Sequence, residues 1–261
     1  MEIFAVLAGA SFRRNLAYVK AHMATNVGSI LFGLVYMALW RAVDHGRTLE
    51  GQAPSFFLSY IALSQFVLWV STFLPAYLGI HLAIRSGQIA LEFVRPVPYL
   101  PRMLASGMGE VLYNVAFRSL PMALVFTVLG VFPWALLLKG AAILQVTLAL
   151  FLAGLTGVVM QYLVGIASFW TVEARWARRL YFALVMTAGG QILPLFLLPG
   201  WAAHLLRLLP FQTLVYFPAA VWLRRATAAD WVSALTWTVV LLAIAAVVTE
   251  AARRRLEVQG G

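Results

Sequence analysis

Residues 91–104 read LEFVRPVPYLPRML and interrupt a chain that is otherwise 63% hydrophobic and only 11% charged. One acid, two arginines and three prolines fall inside that stretch. Proline lacks a backbone donor and its ring collides with the preceding helical turn, so Pro96, Pro98 and Pro101 together argue against a continuous helix. An unsatisfied backbone group is costly in hydrocarbon, so the stretch is expected to be a structured loop outside the apolar layer, dividing one set of membrane spans from another.

Composition makes this an integral membrane chain. It has 261 residues with a mean hydropathy of +0.89, and a soluble domain of that length would need a far more polar surface. The formal net charge is +10. The arginines cluster in short groups between apolar runs rather than on one basic face, as the positive-inside rule expects, which argues against nucleic acid as a partner. The absence of cysteine excludes disulfides and thiolate metal sites. The opening MEIFAVLAGASFRRN places apolar residues before arginines, the reverse of a secretory signal.

About 20 apolar residues cross roughly 30 Å of hydrocarbon as a helix. On that measure six spans are expected: 26–43, 55–78, one within 106–138, one within 140–169, 180–198 and 231–250. Arg13, Arg14, Lys20, Arg85, Arg95, Arg102, Arg175, Arg178, Arg179 and Arg253 to Arg255 then share one side and outnumber Arg41, Arg47, Lys139, Arg207, Arg224 and Arg225 opposite. Both termini and the loop 79–102 are therefore expected in the cytosol. Ahead of the first span, residues 1–25 carry Ile3, Val6, Leu7, Phe12, Leu16, Val19 and Met23 at helical spacing with basic residues between, the pattern of an interfacial amphipathic helix. The whole reads as one all-α domain: interfacial helix 1–25, spans over 26–78, cytosolic loop 79–102, spans over 103–198, an outer segment 199–230, a last span 231–250 and a cytosolic tail 251–261.

The outer segment, PGWAAHLLRLLPFQTLVYFPAAVWLRRATAAD, is too apolar for an aqueous loop, and Pro199, Pro210 and Pro218 break it at short intervals. A re-entrant helical pair covered by protein satisfies both facts. A seventh span over 208–223 is the alternative; sixteen residues with an internal proline is short for a crossing.

Catalytic patterns are missing. There is no G-x-x-x-x-G-K-[ST] phosphate loop and no H-E-x-x-H. His22, His45, His81 and His204 fall in separate boundary regions, Asp44 and Asp230 sit at span ends, and Ser106 has no histidine at a matching depth. No catalytic or metal site is expected. Ser106, Glu110, Asn114 and Arg118 do share one helical face at i, i+4, i+8 and i+12. If they lie at membrane depth they face a pathway or a span interface. If the hydrocarbon begins near Ser119, they are span-end residues and Arg118 snorkels to headgroups. Two further functions stay open on this face: a secondary transporter or channel gated by Glu110 and Arg118, and an intramembrane lipid-modifying enzyme using Ser106 and Glu110.

Ordered landmarks run along nearly the whole length: Arg13-Arg14 with Tyr18, Leu39-Trp40-Arg41, Gly87-Gln88-Ile89 leading to Leu91 and Arg95-Pro96, Phe169-Trp170, Pro199-Gly200-Trp201, Leu209-Pro210-Phe211, Tyr216-Phe217-Pro218 and Gly260-Gly261. In these the chain resembles the permease subunit of ABC type-two exporters, in the bacterial six-span branch. The resemblance implies a cytosolic coupling helix at 80–91 that docks on an ATP-binding subunit, with Arg85, Gln88, Glu92, Arg95 and Pro96 at or beside the contact. It also implies that Pro199, Gly200, Trp201, Pro210, Phe211, Tyr216 and Pro218 belong to outer re-entrant helices capping the exit. The expected assembly has two permeases, identical or paralogous, and two ATP-binding subunits in the bacterial cytoplasmic membrane, surrounded by lipid. No cofactor is expected in this chain, ATP and magnesium being held by the partner. A short first external loop and the lack of a carbohydrate-binding domain set the chain apart from lipid- and glycan-exporting relatives and leave the cargo open, with hydrophobic or amphipathic compounds favoured by the apolar spans.

Overall fold

The computed structural model describes residues 2–44, 54–74, 76–138, 140–171 and 175–259, and all regular structure among them is helical. The polar stretch between the first two spans, Lys139 and the closing Gly260-Gly261 lie outside the described residues. Helix α1 (Glu2–Leu16) is followed after a two-residue turn by α2 (Val19–Asp44). The chain continues through α3 (Pro54–Ser71), the short α4 (Ile80–Arg85) and α5 (Ile89–Val94), and a long helix made of α6 (Tyr99–Asn114), a π-helical turn (Val115–Ser119) and α7 (Leu120–Val128). Then come α8 (Ala142–Ile166), α9 (Arg175–Ala188), α10 (Gly200–Arg207), α11 (Tyr216–Trp222) and α12 (Ala228–Gln259).

Among the described residues, four stretches are long and apolar enough to cross a membrane: Val19–Ala42, Tyr99–Val128, Ala142–Phe169 and Ala228–Leu256. The two other expected spans end early, for local reasons. Residues 55–78 form a helix only to Ser71, because Pro75 has no N–H to offer the Ser71 carbonyl. Residues 180–198 form a helix only to Ala188. There Gly190, at φ +84°, turns the chain into the left-handed region and the Ile192 N–H reaches back to the Met186 carbonyl at 2.9 Å, closing the helix end.

Other boundaries also move. The N-terminal helix stops at Leu16, and Val19 to Thr25 belong to α2. The proline stretch is open only from Arg95 to Pro98. Pro101 is the third residue of α6, in the first turn, where backbone N–H groups have no intrahelical acceptor and proline does no harm. Residues 208–223 are a 3-10 turn (Pro210–Thr213) and the seven-residue α11, so no single helix fills that interval.

Helix α8 lies at the centre, against α3, α6, α11 and α12. Close approach is set by missing side chains. A Cβ on Gly157 would stand 1.9 Å from the Ser71 carbonyl oxygen, and one on Gly109 would stand 2.2 Å from the Ala8 carbonyl oxygen. Small residues thus let α3 meet α8 and α1 meet α6 backbone to backbone, since lipid itself supplies no hydrophobic drive for helix association.

The broken segments are wired to the long helices by side chains. Ser71 Oγ donates to the Leu214 carbonyl at 2.7 Å, Ser233 Oγ to the Arg207 carbonyl at 3.0 Å and Trp237 Nε1 to the Leu208 carbonyl at 2.7 Å. Tyr60 Oη donates to the Gly190 carbonyl at 2.7 Å, and the Tyr216 N–H to the Gly189 carbonyl at 2.9 Å. Every residue of α11 is buried.

Replacing Gly157 by Val is expected to cost at least about 1–3 kcal/mol by overpacking α3 against α8 and to remove the monodisperse peak in detergent size exclusion. Gly28, which has open space where a Cβ would go, should accept Ala unchanged. A normal Gly157→Val profile would contradict the packing.

Candidate functional site

The segment between α3 and α6 turns a corner. Gly87, at φ +72°, closes α4 and sets α5 at a new angle, so the expected single helix over 80–91 is two short ones. Ile80 and Ile89 are buried in one cluster with Val159, Tyr162 and Ile166 of α8. Leu82, Arg85, Gln88, Leu91, Val94, Arg95 and Pro96 are exposed. Leu91 and Val94 are 70% and 84% exposed, an apolar surface flanked by Arg85 and Arg95.

Glu92 points the other way. Its carboxylate takes Arg95 Nη2 at 2.9 Å and Arg102 Nη2 at 2.8 Å, and Arg102 Nη2 also donates to the Glu92 carbonyl at 2.7 Å. Arg102 is 5% exposed. Phe93 stacks on Tyr99 at 4.7 Å between ring centres, with the Arg102 guanidinium 5.5 Å from the centre of the same ring. A buried ion pair repays its desolvation better when further hydrogen bonds join it; here Nη2 serves both the carboxylate and the backbone carbonyl, while Arg102 Nε and Nη1 are buried without a hydrogen-bond partner. The result is a clamp tying α5 to the first turn of α6 across Pro96 and Pro98.

The stripe on α6 divides among three partners. Glu110 accepts from Arg14 Nη2 at 2.7 Å and Ser11 Oγ at 3.0 Å, both on α1. Asn114 Nδ2 donates to the Trp69 and Phe73 carbonyls at 2.9 and 3.2 Å, at the end of α3. Arg118 lies with its guanidinium carbon 4.1 Å from the centre of the Trp69 ring. Ser106 is half-buried on the same helix. The π turn inserts one residue between Asn114 and Arg118, so their face is not continuous, and Glu110 and Arg118 form no ion pair.

Pro121 explains the bulge. It has no N–H for the Phe117 carbonyl, and Asn26 Nδ2 of α2 donates to that carbonyl instead at 2.8 Å. The Leu120 N–H reaches the Val115 carbonyl, and Ser119 Oγ donates to the Phe66 carbonyl at 2.8 Å. In the proline-marked segment, Pro199 precedes the first turn of α10 and Pro210 opens the 3-10 turn. Trp201 is 75% exposed, Phe211 half-buried, and Tyr216 and Pro218 buried. Arg207 Nη2 donates to Tyr216 Oη at 2.9 Å.

A family profile described as ABC-2 family transporter protein matches residues 29–260. The chain belongs to the ABC-2 transporter family. It is a multi-pass membrane permease subunit of an ABC transporter. No curated protein and no solved structure matches it. In this permease the clamp and the stripe are positioned by residues that sequence reading passed over: Arg102, Ser11 with Arg14, Asn26 and Trp69. Arg102 stands in the same fourteen residues as Glu92, and a lone acid flanked by arginines across a proline break is the signal that could have identified the pair. Among the described residues there is no cluster of three or more His or acidic side chains to hold a metal ion.

Substituting Arg102 by Leu should release α5 from α6, a loss of about 1–3 kcal/mol locally for the unpaired partner groups. Amide exchange over residues 86–98 is expected to accelerate while α8 stays protected. Unchanged exchange would show that the clamp does not hold the corner.

Proposed function

We propose that this permease forms the membrane pathway of an ATP-driven exporter and that α4 and α5 are its contact with the ATP-binding subunit. The observation that carries this reading is the exposed Leu82, Leu91 and Val94 surface flanked by Arg85 and Arg95, mounted on a corner that Glu92 and Arg102 lock to α6. A coupling element needs both properties: a surface that recognises its partner, and a rigid link to a long helix so that displacement is transmitted rather than absorbed. Gln88 and Pro96 complete the outer face, and Glu92 acts from behind it as the anchor.

In this reading the polypeptide crosses the cytoplasmic membrane six times, with α3 and α9 as the shorter crossings and both termini in the cytosol. Helices α10 and α11 are re-entrant on the outer side. The support for that is the coverage of their carbonyls by Ser71, Ser233 and Trp237, which satisfies the demand lipid makes of non-helical backbone. Two permeases, identical or paralogous, pair with two ATP-binding subunits that bind ATP and magnesium, and the cargo is hydrophobic or amphipathic. Gating through a Glu110–Arg118 pair has less support, since Glu110 is held by Arg14 and Ser11.

Affinity purification of the tagged permease from its native membrane should recover a soluble subunit bearing a phosphate-binding loop. Arg95→Glu and Leu91→Asp are expected to lower that recovery by about tenfold or more, the scale of one lost charged or buried contact, without lowering the amount of permease in the membrane. Full recovery with both variants would refute the docking assignment.

A further inference from the structure

Arg118 makes no ion pair with any described group of the chain and feels Glu110 only as a more distant charge. It lies inside the Tyr99–Val128 span, where an ionisable side chain normally faces a partner or a water-filled path. Each acid whose side chain is described is engaged elsewhere. Glu110 is taken by Arg14 and Ser11, Glu92 by Arg95 and Arg102, Asp230 by the Thr227 N–H and hydroxyl, and Glu250 by Arg253 and Arg254. The Arg14–Glu110 pair directs the carboxylate on the same helix toward α1, so it acts on Arg118 only at longer range.

The guanidinium is held in place all the same. Its stacking distance of 4.1 Å on Trp69 is a cation–π contact. Nε and Nη1 are buried and have no hydrogen-bond partner, while the residue as a whole keeps part of its surface accessible. Tyr113 and His22 share a 2.6 Å hydrogen bond beside it and lie within its electrostatic reach. Exposed Leu120 and Leu124 come next on the same helix. A cationic fork with unused donors, fixed on an aromatic face next to exposed aliphatic side chains, is complementary to an oxyanion attached to hydrocarbon.

We propose that Arg118, seated on Trp69 beside Tyr113 and His22, binds the oxyanion of an amphipathic ligand, a phosphate or carboxylate carried on an aliphatic chain. The ligand supplies a direct counter-charge at the part of Arg118 that remains accessible, and its tail lies against the apolar surface of α7. The same chemistry can come from a bilayer phospholipid or from the transported cargo. The site belongs to the membrane subunit itself and stands whether or not α4 and α5 dock on an ATP-binding subunit.

The probe is dodecyl phosphate, titrated into purified permease in dodecyl maltoside and followed by native mass spectrometry, with uncharged dodecanol as the comparison. The wild-type protein is expected to prefer the phosphate by about tenfold or more, and Arg118→Gln to lose that preference. Arg118→Lys keeps the charge without the planar fork and should fall between. Equal binding of the two probes by wild type would overturn the site, as would unchanged phosphate binding by an Arg118→Gln protein that is monodisperse. The first criterion needs no variant and so survives a folding defect. Nanodiscs then separate the sources. If the ligand is a bilayer lipid, phosphatidylglycerol displaces dodecyl phosphate and is retained less by Arg118→Gln. If it is cargo, replacing phosphatidylcholine by phosphatidylglycerol leaves dodecyl phosphate binding unchanged. Both patterns support an oxyanion site at Arg118 and differ only in its origin.

Discussion

In hydrocarbon every peptide N–H and C=O must find a partner within the protein, and that requirement organises this molecule. Its helices break after Ser71, at Gly190 and around Pro199, Pro210 and Pro121, and such breaks free backbone carbonyls. The polar side chains of the apolar helices answer them one by one. Asn114 serves the end of α3, Asn26 the carbonyl that Pro121 leaves free, Ser71 the turn before α11, and Ser233 with Trp237 the end of α10. These polar residues, which would otherwise suggest a hydrophilic channel, are therefore structural caps. The Glu92–Arg102 clamp and Arg118, which has no ion-pair partner among the described residues, do not play this role.

That division bears on how the permease works. Breaks closed by side-chain donors are rigid, so the molecule can carry short, irregular elements without softness at their joints. At the α4–α5 corner the same economy gives a rigid arm on the end of a thirty-residue helix. Around Trp69 it gives an anchored cation without a fixed anion. The clamped end of α6 and the cation thus lie on the same long helix, Tyr99–Val128, on either side of Asn114.

Much of this was legible in the amino-acid order. The all-helical membrane class followed from composition, and the family from ordered landmarks such as Arg95-Pro96 and Pro199-Gly200-Trp201. The need for covered backbone in 199–230 followed from its prolines. Hydropathy failed where helix termination is decided by one residue's backbone. An apolar window cannot sense that proline at position 75 has no N–H for the Ser71 carbonyl or that Gly190 turns left-handed, so the helices within 55–78 and 180–198 looked longer than they are. It also treated Pro101 as a breaker, although proline in the first turn is harmless. The partners of Glu110 and Asn114 could not be read at all, because they lie 96 and 45 residues away and are brought close by packing alone.

The π turn at Val115–Ser119 gives the long helix a property independent of which residues it contains. One extra residue amounts to roughly 100° of rotation, so the two halves run out of phase. Glu110 and Asn114 obey one angular register, Arg118 and the residues of α7 another. Segment length is thus a coordinate of this protein in its own right. A single deletion within those five residues would be absorbed as the turn closes to regular α-helix, whereas one lower in α6 would turn every side chain beyond it by roughly 100°, taking Ser119 from α3 and Arg118 from Trp69 while leaving composition and hydropathy essentially unaltered.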